Sequence, residues 1–146
     1  MIAKMLRVAV GLILAGCCAL STAHAQWQTL SGAGGSFFVD LPAAPNYTEI
    51  PMKTSTGAAY AMHQYLFELV NTAYVAQSAV YPEEVNVSDP RTNLQTGLDN
   101  AAKNLEGGRW LEVNWKTHQG LQAVDAVGRR EGHVIRSFSL LSGRRI

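Results

Sequence analysis

One stretch of helical spacing, residues 89–108, stands between two groups of segments that alternate with the two-residue period of strands. That order constrains the fold more than any other feature, because strands joined by links of hairpin length can only pair antiparallel. Asp89 suits an N-cap, where its carboxylate accepts backbone N–H bonds, and Pro90 suits the first helical position, where a missing N–H costs nothing. Leu94, Leu98, Ala101, Ala102 and Leu105 follow on one stripe, and Arg91, Asn93, Thr96, Asn100, Lys103 and Asn104 are left for solvent. Gly107-Gly108 is the expected stop. A single narrow stripe implies one layer beneath it. The predicted fold class is therefore α+β, an antiparallel β-sheet with a helix packed on it.

Before the helix, residues 27–30 and 36–41 read as short strands around the glycine-rich turn 31–35. Gly32, Gly34 and Gly35 do not read as a phosphate loop, which needs a helix N-terminus after it; strand sequence follows instead. Residues 48–54 form a weaker strand, and Pro51 within it argues for a sheet edge. Residues 58–69 and 73–81, linked by a turn at Asn71-Thr72, make the longest predicted hairpin. After the helix come strands at 109–116, 121–130 and 133–141. Ser142-Gly143 then turns the chain, and Arg144-Arg145-Ile146 begins a strand that the sequence leaves unfinished.

The first 26 residues have a different character. Lys4 and Arg7 precede an apolar run over residues 8–20, about 13 residues where a membrane-crossing helix needs about 20. The pattern is that of an export signal. Two cuts fit it. Ala23-His24-Ala25 is a small-residue site of the kind cut after Ala25, so that residues 1–25 are the signal peptide and Gln26 opens a single α+β domain over 26–146. Alternatively, Leu14-Ala15-Gly16-Cys17 fits a lipoprotein signal over 1–16, with Cys17 as the lipidated first residue and membrane attachment through it alone. Both cuts place the protein outside a bacterial cytoplasm, in the periplasm, secreted, or anchored to the membrane.

Both cysteines, Cys17 and Cys18, fall in this leader. A domain starting at Gln26 therefore has no disulfide framework, cysteine nucleophile or thiolate metal site. Without Lys4 and Arg7 it carries ten basic and eleven acidic groups, a net charge of −1. Nucleic-acid binding calls for a strongly basic face, so none is expected.

The order of elements resembles the photosystem oxygen-evolving-complex PsbP-like family and the related Mog1-type fold. The resemblance is carried by a tryptophan-led strand, by Phe37-Phe38-Val39-Asp40-Leu41-Pro42-Ala43-Ala44-Pro45, by the long hairpin and aspartate-led helix, and by the closing Leu140-Leu141-Ser142-Gly143-Arg144-Arg145. It implies an antiparallel sheet flanked by helices, a final strand running several residues further, and a binding or accessory role. It supplies no catalytic motif.

Side chains able to do chemistry are few. His63, His118 and His133 have no local metal-pair spacing, although three strands could converge them on a zinc ion with Asp125 or Glu131 as a fourth ligand. Ordinary exposed or half-buried histidines are the preferred reading, so no metal and no cofactor are expected. No serine sits in a nucleophile-elbow motif, and Glu83-Glu84 reads as a solvated loop. Arg129-Arg130 and Arg144-Arg145 both lie beside turns and could form one basic edge, best read as a guard against edge-to-edge pairing. The expectation is a non-catalytic envelope protein that binds a partner protein or a small apolar ligand, with no catalytic residue assigned. The alternatives are a small hydrolase using His63 with a nearby carboxylate, and a structural envelope lipoprotein.

Overall fold

The computed structural model describes residues 27–146; the leader, with the cut at Ala25/Gln26 and the lipidation site Cys17, lies outside the described residues. Strand takes 52% of the described residues and helix 16%, which corrects the α+β expectation to a β-rich fold. The eight strands are β1 (Gln28–Ser31), β2 (Phe38–Leu41), β3 (Asn46–Lys53), β4 (Ala59–Leu69), β5 (Thr72–Ala79), β6 (Glu112–His118), β7 (Leu121–Arg130) and β8 (His133–Leu140), with α1 (Pro90–Ala102) between β5 and β6. One helix of 13 residues covers part of one sheet and builds no layer of its own across the fold.

The single expected sheet is also corrected, to three antiparallel ones: β1-β2, β3-β4-β5 and β6-β7-β8. β3 is an edge strand, as Pro51 requires, and Pro51 sits opposite Ala61. The hairpins of the last sheet turn through Gln119-Gly120 and Glu131-Gly132. All four residues have positive φ, of 49°, 79°, 51° and 79°. Two successive left-handed residues match the right-handed twist of the flanking strands, which is why glycine occupies the second position of each turn. The β4–β5 turn lies at Val70-Asn71, one residue earlier than its predicted place, because Leu69 pairs with Thr72.

Helix α1 starts where its cap predicts. Asp89 accepts the Thr92 backbone N–H at 3.1 Å and the Thr92 hydroxyl at 2.6 Å, and these bonds hold its carboxyl below the usual range. The helix ends early, with Lys103 at the C-cap, and Gly107-Gly108 belong to a separate 3₁₀ turn. Leu105 has left the helix to lie over Gly128 of β7. A Cβ added there would come within 2.7 Å of Leu105 Cδ1 and 3.1 Å of Trp110 Cε3. Trp110 then donates its indole N–H to the Leu98 carbonyl at 2.9 Å. Tertiary packing, not the glycine pair, stops the helix.

Leu94 and Leu98 of α1 pack with Val124, Ala126 and Leu141 in the buried core, and Tyr81, Val87, Trp110, Trp115 and Ile146 surround them. The first three-stranded sheet is covered differently. The β1–β2 segment lays Trp27 edge-on to Tyr74 and Phe37 edge-on to Tyr65, with ring centroids 5.8 and 5.9 Å apart. These contacts fall on the sheet face opposite Ala79 and Ile146, because side chains alternate along β5.

The last residues join the two larger sheets at one point. Ala79 and Ile146 exchange two backbone bonds of 3.0 Å, and Tyr81 N–H donates to the Arg144 carbonyl at 2.8 Å. The Arg144 guanidinium clamps the loop after β5, donating to the carbonyls of Tyr81 at 3.0 Å, of Val85 at 2.8 Å and of Pro82. Arg144-Arg145 and Arg129-Arg130 therefore sit at opposite ends of β8, and the single basic edge is not formed.

Candidate functional site

His63 is the residue singled out as a catalytic alternative. On β4 it stands opposite Glu49 of β3 and Ser78 of β5. Its Nδ1 is 2.8 Å from the Tyr47 hydroxyl, and the two rings stack with an interplanar angle of 16°. Glu49 Oε2 is 4.0 Å from the same nitrogen, outside hydrogen-bond reach. The Tyr47 phenol pKa is raised, first by loss of water around it and then by Glu49. A nucleophile needs the opposite: a base that draws off its proton and a lowered pKa. His63 and Tyr47 thus form a polar pair on a sheet face. Beside them lies a groove of about 480 Å³ with Tyr60, Tyr81, Glu83 and Arg144 on its walls. Arg144 is already committed to three carbonyls there.

The other histidines lie elsewhere. His118 meets Phe138 edge-on, with centroids 5.4 Å apart, and the His133 ring contacts the Glu131 carbonyl at 3.0 Å. Among the described residues, no group of three His, Cys, Asp or Glu side chains is placed to hold a metal ion. Asp125 is engaged otherwise. Arg136 reaches both its oxygens, at 3.0 and 3.3 Å, and Lys116 donates at 3.1 Å. The Arg136 hydrogen bonds, followed by the Lys116 bond, lower the Asp125 pKa from 3.8 to about 2. Glu83 and Glu84 are exposed, as a solvated loop should be.

A second and larger groove, about 690 Å³, lies where the β4–β5 turn approaches the β7–β8 turn. Leu69, Val70 and Ala73 line one wall, and His133, Val134 and Ile135 the other. Val70 is 99% exposed and Val134 66% exposed, and Leu69 is also exposed. Isolated apolar surface residues are ordinary, but apolar residues on two facing turns around one depression are the kind of patch that marks an interaction site. Strand periodicity did not reveal this groove. The available signal was the turn itself, where a valine occupies a place that asparagine, aspartate or glycine would ordinarily take.

Comparison with family models, with curated proteins and with solved structures finds no significant match to the chain.

Proposed function

We propose that this chain is an exported, non-catalytic envelope protein that serves as a binding or accessory module for a partner protein. The observation that carries the reading is the groove between the β4–β5 and β7–β8 turns, with Leu69, Val70 and Val134 exposed around it. Small-molecule sites are concave and bury most of their ligand. This groove is an open trough between two turn tips, which suits a polypeptide better than a small apolar ligand. The charged leader and small-residue cut site support export, with Ala25/Gln26 or Cys17 as the processing point. The PsbP-like resemblance implies the same accessory role. The hydrolase alternative gains nothing from His63, whose bonded partner is a phenol of raised pKa.

Photo-crosslinking in intact cells tests the reading. A photoreactive residue at position 70 or 134 is expected to yield one discrete adduct, and the same residue at Thr96 on the exposed face of α1 none. Equal labelling from all three positions, or none at 70 and 134, sinks the proposal. Mass spectrometry of the purified N-terminus reads the address: Gln26 as first residue or diacylated Cys17 supports export, and an intact leader removes it.

A further inference from the structure

The geometry points to a site for one copper(II) ion formed by Tyr47, Glu49 and His63 at the β3 edge of the first three-stranded sheet. The β3–β4 register builds it. Glu49 stands directly opposite His63, and Tyr47, two residues before Glu49 on the same strand, projects from the same face. One ladder thus sets an imidazole, a carboxylate and a phenol side by side. The Tyr47 ring is held from two sides, stacked with the His63 ring and packed against buried Tyr65 with centroids 5.2 Å apart. The phenol oxygen is therefore placed before any ion arrives, as a ligand site requires. Tyr47 and Glu49 are exposed and His63 is half-buried, so an ion can enter from water.

The three donor atoms fit a transition metal. Tyr47 Oη is 2.8 Å from His63 Nδ1 and 3.5 Å from Glu49 Oε2, and Glu49 Oε2 is 4.0 Å from His63 Nδ1. The point equidistant from the corners of that triangle lies about 2 Å from each of them. Bonds from such metals to nitrogen and oxygen are about 2.0–2.2 Å long. At that point the ion is coplanar with its donors. The phenol oxygen and the imidazole nitrogen subtend close to a right angle there, and the carboxylate oxygen stands nearly opposite the nitrogen. Three corners of a distorted square suit copper(II) or nickel(II) rather than tetrahedral zinc, and copper(II) is the tighter binder of the two. The third donor is a phenol, so the site stands although no three His, Cys, Asp or Glu side chains converge among the described residues. Charge favours a cation as well. Among the described residues Glu49 has no lysine or arginine partner, and its one ion-pair contact is His63. Glu49 also helps to keep the Tyr47 phenol protonated, so a bound ion must displace that proton. A metal's ligands must be deprotonated, and binding releases the proton to water.

Copper(II) titrated into the full chain carrying Cys17→Ser and Cys18→Ser, so that no thiolate competes, tests the site. One equivalent is expected to bind, with release of one proton, a visible phenolate-to-copper charge-transfer band and an electron paramagnetic resonance spectrum showing one coordinated nitrogen. Tyr47→Phe should abolish the band, whatever copper stays bound. His63→Gln and Glu49→Gln should each weaken binding by at least the roughly 10–100-fold that loss of an outer-shell partner costs. His133→Gln, away from the site, should change nothing, and zinc should bind more weakly than copper. No band at one equivalent of copper, a band that survives Tyr47→Phe, or equal weakening by His133→Gln overturns the site, the last two as adventitious binding. Zinc binding tighter than copper overturns the planar copper(II) assignment.

Discussion

The two three-stranded sheets are built on the same antiparallel plan and are closed in opposite ways. β6-β7-β8 lies under a helix whose leucines are almost completely buried, Leu94 at 2% exposure, against Val124 and Ala126. β3-β4-β5 lies under a short two-stranded hairpin that contributes aromatic edges, and Tyr47, Leu69 and Val75 of that sheet remain exposed. A helix offers a continuous stripe of aliphatic side chains. Two strands of four residues offer only a few inward positions. Both halves reach the groove, the thinly covered one through Val70 and the helix-covered one through Val134 at the far end of its sheet. Regions with few buried apolar contacts open at lower free energy, and binding surfaces are drawn from them.

The sharpest way to break this comparison is to hollow the better-closed half. Leu94→Ala should cost about 2–5 kcal/mol, the range for a fully buried leucine, read as a lower urea midpoint. Phe37→Ala, in the thin cover, should cost clearly less. Equal losses would mean that the two covers contribute alike. Next in size, Gly128→Ala forces Leu105 and Trp110 apart and should destabilise by about 1–3 kcal/mol, as overpacking does. A neutral result would show that Leu105 moves freely and does not stop α1.

Acid should act on the β6-β7-β8 side through Asp125. Its folded pKa of about 2 lies below the ordinary 3.8, so its contribution to stability is complete above the ordinary value. That contribution is lost as pH falls from near 4 through about 2. Thermal melts across that window should fall less steeply in Asp125→Asn than in the parent chain; parallel curves would remove Asp125 as a cause. The smallest expected effect is at the helix cap, where Asp89→Ala should lower the melting temperature by about 5 °C. An unchanged melting temperature would contradict the Thr92 bonds as a source of stability.

Local signals were readable wherever a residue's own chemistry decides its conformation. Asp89-Pro90 marked the start of α1, Pro51 marked an edge strand, and Gly120 and Gly132 marked turns whose positive φ values require them. The strand bounds 121–130 were readable too, because glycine-containing turns close the segment at both ends, although Ala123–Ala126 are buried on both faces of the sheet. Where two separated segments compete for one place, the sequence was mute. Leu105 continues the helical stripe on paper, yet the space above Gly128 takes it out of the helix. The turn at Val70-Asn71 follows from the pairing register with β4, which no local word specifies.

The sequence by itself determined the order and type of the elements and their antiparallel connections, because each follows from short-range periodicity, caps and turns. It also assigned no catalytic residue, and the hydroxyl that His63 bonds is the Tyr47 phenol. Only the tertiary structure decided that the strands divide into three sheets and that helix α1 is a local cover in a β-rich fold. It also decided that residues 144–146 enter a gap between β5 and β8. Those outcomes depend on which backbone edges meet in space. Edge pairing joins residues about 65 positions apart through main-chain groups common to every residue, so it leaves no mark in the side-chain pattern.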